Sequence, residues 1–157
     1  MIKIDLPNSI PEGLHGGSLL VQQYCAQHDA APELYATRHG KFDFNSSMYG
    51  CETVRTALKS AQFLKCCYCE SKIPGTGYGE VEHYRPKAAW QQEKKTPLNR
   101  PAYHWLAYSW ENLLWSCKVC NGSYKKNLFP LADPDRRDCL GRNLNDEQPM
   151  LINPAST

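Results

Sequence analysis

CKVCNGSYKKN, residues 117–127, sets two cysteines two residues apart directly before an asparagine and, three residues later, a tyrosine and a lysine pair. The earlier stretch CCYC, residues 66–69, has the same C-x-x-C spacing with an extra thiol at Cys67. A C-x-x-C turn brings both sulfurs to one side, so Cys66 with Cys69 and Cys117 with Cys120 complete a tetrahedral site. Four thiolates at about 2.3 Å suit Zn²⁺ and close its coordination sphere. An ion without an open position is structural and contributes folding free energy. Cys67 is expected to point away from it. The rival reading, a redox dithiol, is weaker because the thiols form two clustered pairs.

The two pairs are separated by 47 residues, so something is inserted between them. The chain has 157 residues, enough for one domain with a modest core. With 41% apolar and 22% charged residues it has a globular composition. A net charge of +2 gives nucleic-acid binding no support from bulk charge. No apolar run approaches the roughly eighteen residues of a membrane span. MIKIDLPNSIPEG lacks the basic-then-apolar pattern of a secretory signal, so a cytoplasmic chain without a membrane partner is expected. Disulfides are disfavoured there, and Cys25, Cys51 and Cys139 read as buried or idle thiols.

Residues 17–29 read as a helix. A second helix is expected from a Ser46 or Ser47 cap, with Val54, Ala57, Leu58, Ala61 and Leu64 on one face. Its Arg55, Lys59 and Lys65 read as a solvated face. IPGTGYG, residues 73–79, is turn material, and EVEHY after it is a short strand closed by Pro86. Residues 102–111 suggest a short amphipathic helix whose Tyr and Trp side chains belong to the core. A last helix is expected from near Val119 through Lys126, followed by a loop-rich tail.

Between the cysteine pairs stand EVEHYRPK (80–87) and YHWLAYSWENLLWSCKVCN (103–121), with KKNLFPL (125–131) just beyond. Glu82-His83, Asn112 in a WENLL context, and C-x-x-C-N-x-x-x-K together resemble the HNH endonuclease motif of the ββα-metal fold. The fuller wording is similar to a subgroup of bacterial HNH proteins, the PtuB-like components of Septu-type and retron-linked anti-phage systems. The resemblance covers about residues 50–153 and is most specific over 80–131. It implies an α+β fold with a ββα-metal, treble-clef-like core and a structural zinc on four cysteines. Residues 46–157 would form the HNH domain, and residues 1–45 an N-terminal helical or irregular extension. Members of that subgroup often continue past a LINP-like segment, seen here at 151–154.

The resemblance implies a metal-dependent DNase acting with a PtuA-type ATPase that has ABC- or SMC-like features. Phosphodiester hydrolysis needs a base to activate water and a cation at the phosphate. His83 is the candidate base, and Glu82 takes the family's metal-ligand position. Asn112 would orient His83 by accepting its ring N–H. Asn121 stands where the motif's final histidine does and would offer its carbonyl oxygen. Such oxygen ligands suit Mg²⁺ or Mn²⁺. Glu80 reads as an exposed strand residue. Arg85, Lys87 and Lys125 are candidate contacts to DNA phosphates. His15, His28, His39 and His104 lack such company. The competing expectation is a non-catalytic zinc module binding nucleic acid or a protein partner, which needs only the four cysteines.

Overall fold

β2, Leu113–Cys117, is buried at its first four residues. A strand without polar alternation belongs between two layers. β1, Gly79–His83, pairs with it antiparallel, setting His83 beside Leu113, Glu82 beside Leu114 and Val81 beside Trp115. Cross-strand partners share a face, and the faces alternate along the strand. Leu113 and Trp115 enter one core with Tyr24, Val54, Leu58 and Trp110. Leu114 enters a second with Tyr84, Tyr103, Phe129 and Leu131. The same alternation directs His83 to the first core's side and Glu82 to the second's. Gly79 is required where it stands, since a Cβ there would lie 2.1 Å from the Trp115 ring.

These relations come from a computed structural model that describes residues 3–37, 39–74, 79–138, 141 and 143–155. Cys139 and positions 75–78 of the expected turn lie outside the described residues. The fold is a small α+β arrangement around a two-stranded sheet. Among the described residues no helix is long and apolar enough to cross a membrane.

The first expected helix is present as α1, Gly17–Ala30, followed by the short α2, Pro32–Ala36. The second is divided into α3, Ser46–Tyr49, and α4, Glu52–Ala61. Asn45, rather than Ser46 or Ser47, caps α3 by accepting from the Ser47 N–H at 3.0 Å. Cys51 is extended and starts the chain again into α4. Val54 and Leu58 are buried as expected, but Leu64 is 48% exposed. Phe63 and Leu64 both adopt positive φ, 52° and 59°, which ends the helical face. The preceding Gln62 holds the turn: its side-chain amide accepts from Trp115 N at 2.6 Å and donates to Trp115 O at 2.8 Å.

The helix expected over 102–111 is replaced by two single 3₁₀ turns, His104–Leu106 and Trp110–Asn112. Side chains take carbonyls that a helix would use internally: Asn112 donates to Leu106 O, and His83 faces Ala107 O. The last expected helix is a wide π turn, Cys120–Lys125, closed by Lys126 N–H to Asn121 O at 2.8 Å. Residues on both sides of position 45 share the cores. Leu14 and Tyr24 pack in the first and Ile4 in the second.

Candidate metal centre and adjoining cleft

The Sγ atoms of Cys66, Cys69, Cys117 and Cys120 lie within 4.8 Å of one another. Cys69 and Cys117 Sγ are 3.9 Å apart. A tetrahedron with metal–sulfur bonds of about 2.3 Å has edges of about 3.8 Å, so the cluster fits Zn²⁺. The turns aim N–H groups at the sulfurs, Cys117 N to Cys66 Sγ at 3.3 Å and Cys120 N to Cys117 Sγ at 3.4 Å. A hydrogen bond from the Cys67 thiol, with the N–H groups of Cys117 and Cys69, holds the Cys66 thiol down at about 3. Burial pushes Cys117 and Cys120 the other way. Thiols this close cannot all ionise against one another, and a dication among them removes that conflict. Cys67 is not one of the four clustered sulfurs: it is buried in the second core with Ile4, Tyr84 and Leu114, its thiol reaches only Cys66 among the four, and burial raises it.

A cleft of about 270 Å³ adjoins the sheet, lined among others by Glu82, His83, Lys87, Asn121 and Gly122. His83 Nε2 is 2.9 Å from Ala107 O, so this nitrogen carries the proton and donates. Nδ1 is then the acceptor, and Lys87 Nζ faces it at 3.3 Å. The edge-on Tyr49 ring, with centroids 4.8 Å apart, fixes the imidazole from the side. Burial, then the Lys87 charge, holds His83 well below its usual pKa, so the ring is neutral. Burial likewise brings Lys87 down to about 8.

The remaining side chains are arranged differently from the sequence expectation. Asn112 does not orient His83 through its own amide. Its Oδ1 accepts from Arg85 N at 2.8 Å, and its Nδ2 donates to Arg85 O at 3.0 Å and Leu106 O at 3.1 Å. It ties the segment after β1 to the turn that carries Ala107, and the Ala107 carbonyl meets the imidazole. No residue-type pattern signals a backbone carbonyl, which is why sequence reading missed it.

Arg85 turns inward. Its Nε is 3.0 Å from Glu147 Oε2, and its guanidinium lies over the Tyr103 and Phe129 rings. Lys125 is also buried, 2.6 Å from Glu82 Oε1, and donates to His83 O at 2.9 Å. The π turn brings it against β1 instead of leaving it on a phosphate-facing surface. Tyr68, another residue the sequence did not single out, donates to Glu82 Oε1 at 3.2 Å. Burial raises the Glu82 carboxyl, and Lys125 opposes that rise. Asn121 Nδ2 donates to Glu80 Oε2 at 3.0 Å, so Glu80 is the strut of Asn121. His104 lies outside the cleft, buried against Phe42 and Trp105.

Glu82 and Asn121 both line the cleft, and a carboxylate with an amide carbonyl is the donor chemistry of Mg²⁺ or Mn²⁺. Lys125 is the competitor for that position, since it already balances the Glu82 charge. The structure thus gathers Glu82, His83, Lys87 and Asn121, with Asn112 supporting them from behind. Arg85 and Lys125 are held within the fold.

No family model matches the chain, and no solved structure matches it. It is 43% identical over 127 residues to a Septu protein PtuB of Bacillus mycoides (strain KBAB4), covering 81% of this chain and 42% of that protein. It is 36% identical over 93 residues to a Septu protein PtuB of Bacillus thuringiensis, covering 57% of this chain and 31% of the relative. The chain therefore spans less than half the length of these curated relatives. The resemblance carried by the motifs extends over most of this chain.

Proposed function

We propose that this chain, PtuB-like over most of its length, is a metal-dependent HNH endonuclease with a ββα-metal core that hydrolyses DNA phosphodiester bonds. Its setting would be a Septu-type anti-phage system, with a PtuA-type ATPase as partner. The observation that carries the reading is the state of His83. A neutral imidazole donates through Nε2 to a backbone carbonyl and keeps Nδ1 as a lone-pair acceptor in residues that line an open cleft. That is the protonation state a general base needs near pH 7.

In this reading Nδ1 takes the proton from the attacking water. Ala107 O holds the tautomer, and Asn112 holds the loop that presents Ala107. Lys87, beside Nδ1, adds positive charge where the phosphate would lie. A divalent ion on Glu82 and Asn121, when bound, would stabilise charge developing on the phosphate oxygens. The four-cysteine zinc would be structural and keep Asn121 in place, because Cys120 opens the turn that carries it.

One observation favours the second reading, a zinc module without catalysis: Lys125 and Tyr68 already occupy Glu82 Oε1. Plasmid cleavage by the purified chain with Mg²⁺ or Mn²⁺ separates the two. The nuclease reading expects cleavage that disappears with EDTA and with His83→Ala, while the variant keeps its zinc and its circular dichroism. Absence of cleavage by zinc-loaded wild type, both alone and with the ATPase partner, rejects it in favour of the binding module.

A further inference from the structure

Beside the His83 cleft lies a second cavity of about 170 Å³, lined in part by Tyr35, Phe42, Phe44, Lys41, Arg100 and Ala88. Ala88 lines both cavities. Lys87, which lines the cleft, places its Nζ 5.7 Å from the centre of the Phe44 ring, which lines the second cavity. Arg100 is held across the junction by donating from Nη1 to Ala88 O at 3.2 Å. No carboxylate lines the cavity among the described residues.

The aromatic wall is preorganised. Tyr35 stacks on Phe42 with ring centroids 4.4 Å apart and planes 15° from parallel. Phe42 in turn stacks on the buried His104 at 4.6 Å and 18°. Three rings in one stack fix the wall before any ligand arrives, which lowers the ordering cost of binding. A wall of rings flanked by two cations suits a flat π-system joined to an anion. The volume admits one such ring system, and the cavity shares Ala88 with the cleft where the proposed function puts a phosphate.

We infer that this cavity is a subsite for one unpaired nucleobase of a nucleic-acid strand, adjacent to the phosphate at His83. The inference deepens the nuclease reading and rests on it for the strand's position. It assigns a role to the N-terminal extension, which supplies Tyr35, Lys41, Phe42 and Phe44. A base within a duplex is stacked and paired on both sides, so the subsite favours single-stranded or flipped-out nucleotides.

The test measures binding of a fluorescent single-stranded oligonucleotide by anisotropy. It uses the full zinc-loaded chain carrying His83→Ala, in buffer without Mg²⁺ or Mn²⁺ and without chelator, so the result does not depend on catalysis and the structural zinc is kept. Tyr35→Ala on that background should weaken binding about tenfold, the effect of losing one stacked base. Replacing one nucleotide by an abasic unit should weaken binding to the Tyr35-containing protein about as much, and should add little in Tyr35→Ala. Lys41→Glu, at an exposed position, should weaken both oligonucleotides alike. Equal affinity of the His83→Ala and His83→Ala/Tyr35→Ala proteins, both folded and zinc-loaded, overturns the subsite. So does an abasic penalty that persists unchanged in Tyr35→Ala. Free dAMP competing better than the oligonucleotide also overturns it, since the cavity would then serve a free nucleotide. Cleavage by the wild-type chain is read separately, so loss of the nuclease reading with Tyr35-dependent binding intact is distinguishable.

Discussion

Two buried polar residues hold the site from within, and they act on different atoms. Asn112 makes three hydrogen bonds to two backbone segments. Asn112→Ala strands one N–H and deprives two carbonyls of a partner, with an expected loss of about 3 kcal/mol in urea denaturation. Because the Ala107 turn then loosens from β1, cleavage should fall along with stability, although Asn112 never touches the imidazole. Lys125 is the sole cation within 4 Å of the Glu82 carboxylate among the described residues, and both side chains are 5% exposed. Lys125→Met leaves a buried carboxylate without its counter-ion, and about 3–5 kcal/mol should be lost. Glu82→Gln combined with Lys125→Met should recover most of that loss in the same denaturation experiment, since no charge then remains buried. Both residues were legible in the sequence as motif positions. The bonding of Lys125 was not, because partners 42 and 43 residues apart (His83 with Lys125, Glu82 with Lys125) are brought together only by the π turn.

At the scale of elements, the cysteine pairs and the EVEHY strand were readable because each is a local pattern: a two-residue spacing in one case, alternation in the other. The helix drawn over 46–64 was readable only in its middle. Val54 and Leu58 carry the apolar period, whereas Gln62 turns its backbone-like amide onto Trp115 and diverts the chain, which no periodicity records. The turns at 102–111 evaded reading for a related reason, with their carbonyls claimed by His83 and Asn112 from elsewhere in the chain. Cys66 and Cys67 are adjacent in sequence and opposite in role, which makes a sharp comparison. Cys69→Ser should abolish zinc retention by mass spectrometry under non-denaturing conditions and collapse the thermal transition, since a structural site loses a ligand. Cys67→Ser should keep the zinc and melt lower, by about 1–3 kcal/mol, for burying a hydroxyl in an apolar core. Gly79→Ala should keep the zinc as well and lose about 1–3 kcal/mol, because its methyl group enters the space of the Trp115 ring.

At the scale of the molecule, the two cores meet at β2, and both draw on the N-terminal segment. Sequence reading separated residues 1–45 from 46–157 because the motifs stop short of the first stretch, and motif content says nothing about who shares a core. The packing speaks to that directly. Tyr24 lies against Phe42, Phe44 and Tyr108, and its hydroxyl is 3.2 Å from the Tyr108 hydroxyl. Trp110 Nε1 donates to Pro7 O at 2.9 Å, and Ile4 N donates to Pro154 O at 2.7 Å, so the segment reaches both the middle and the C-terminal part of the remaining chain. Removing residues 1–45 would uncover Trp110, Tyr108 and the His104 stack, and it would take away the wall of the proposed base subsite. The full chain should therefore unfold in urea as one transition, with tryptophan fluorescence and circular dichroism changing together. The 46–157 fragment should bind the hydrophobic dye ANS and lose cooperative melting even when loaded with zinc, since the metal fixes four cysteines but cannot cover an apolar face. Two separate transitions in the full chain, or a fragment that melts as sharply as the whole, would show that the zinc-bearing part folds by itself and that the extension is an addition to a finished domain.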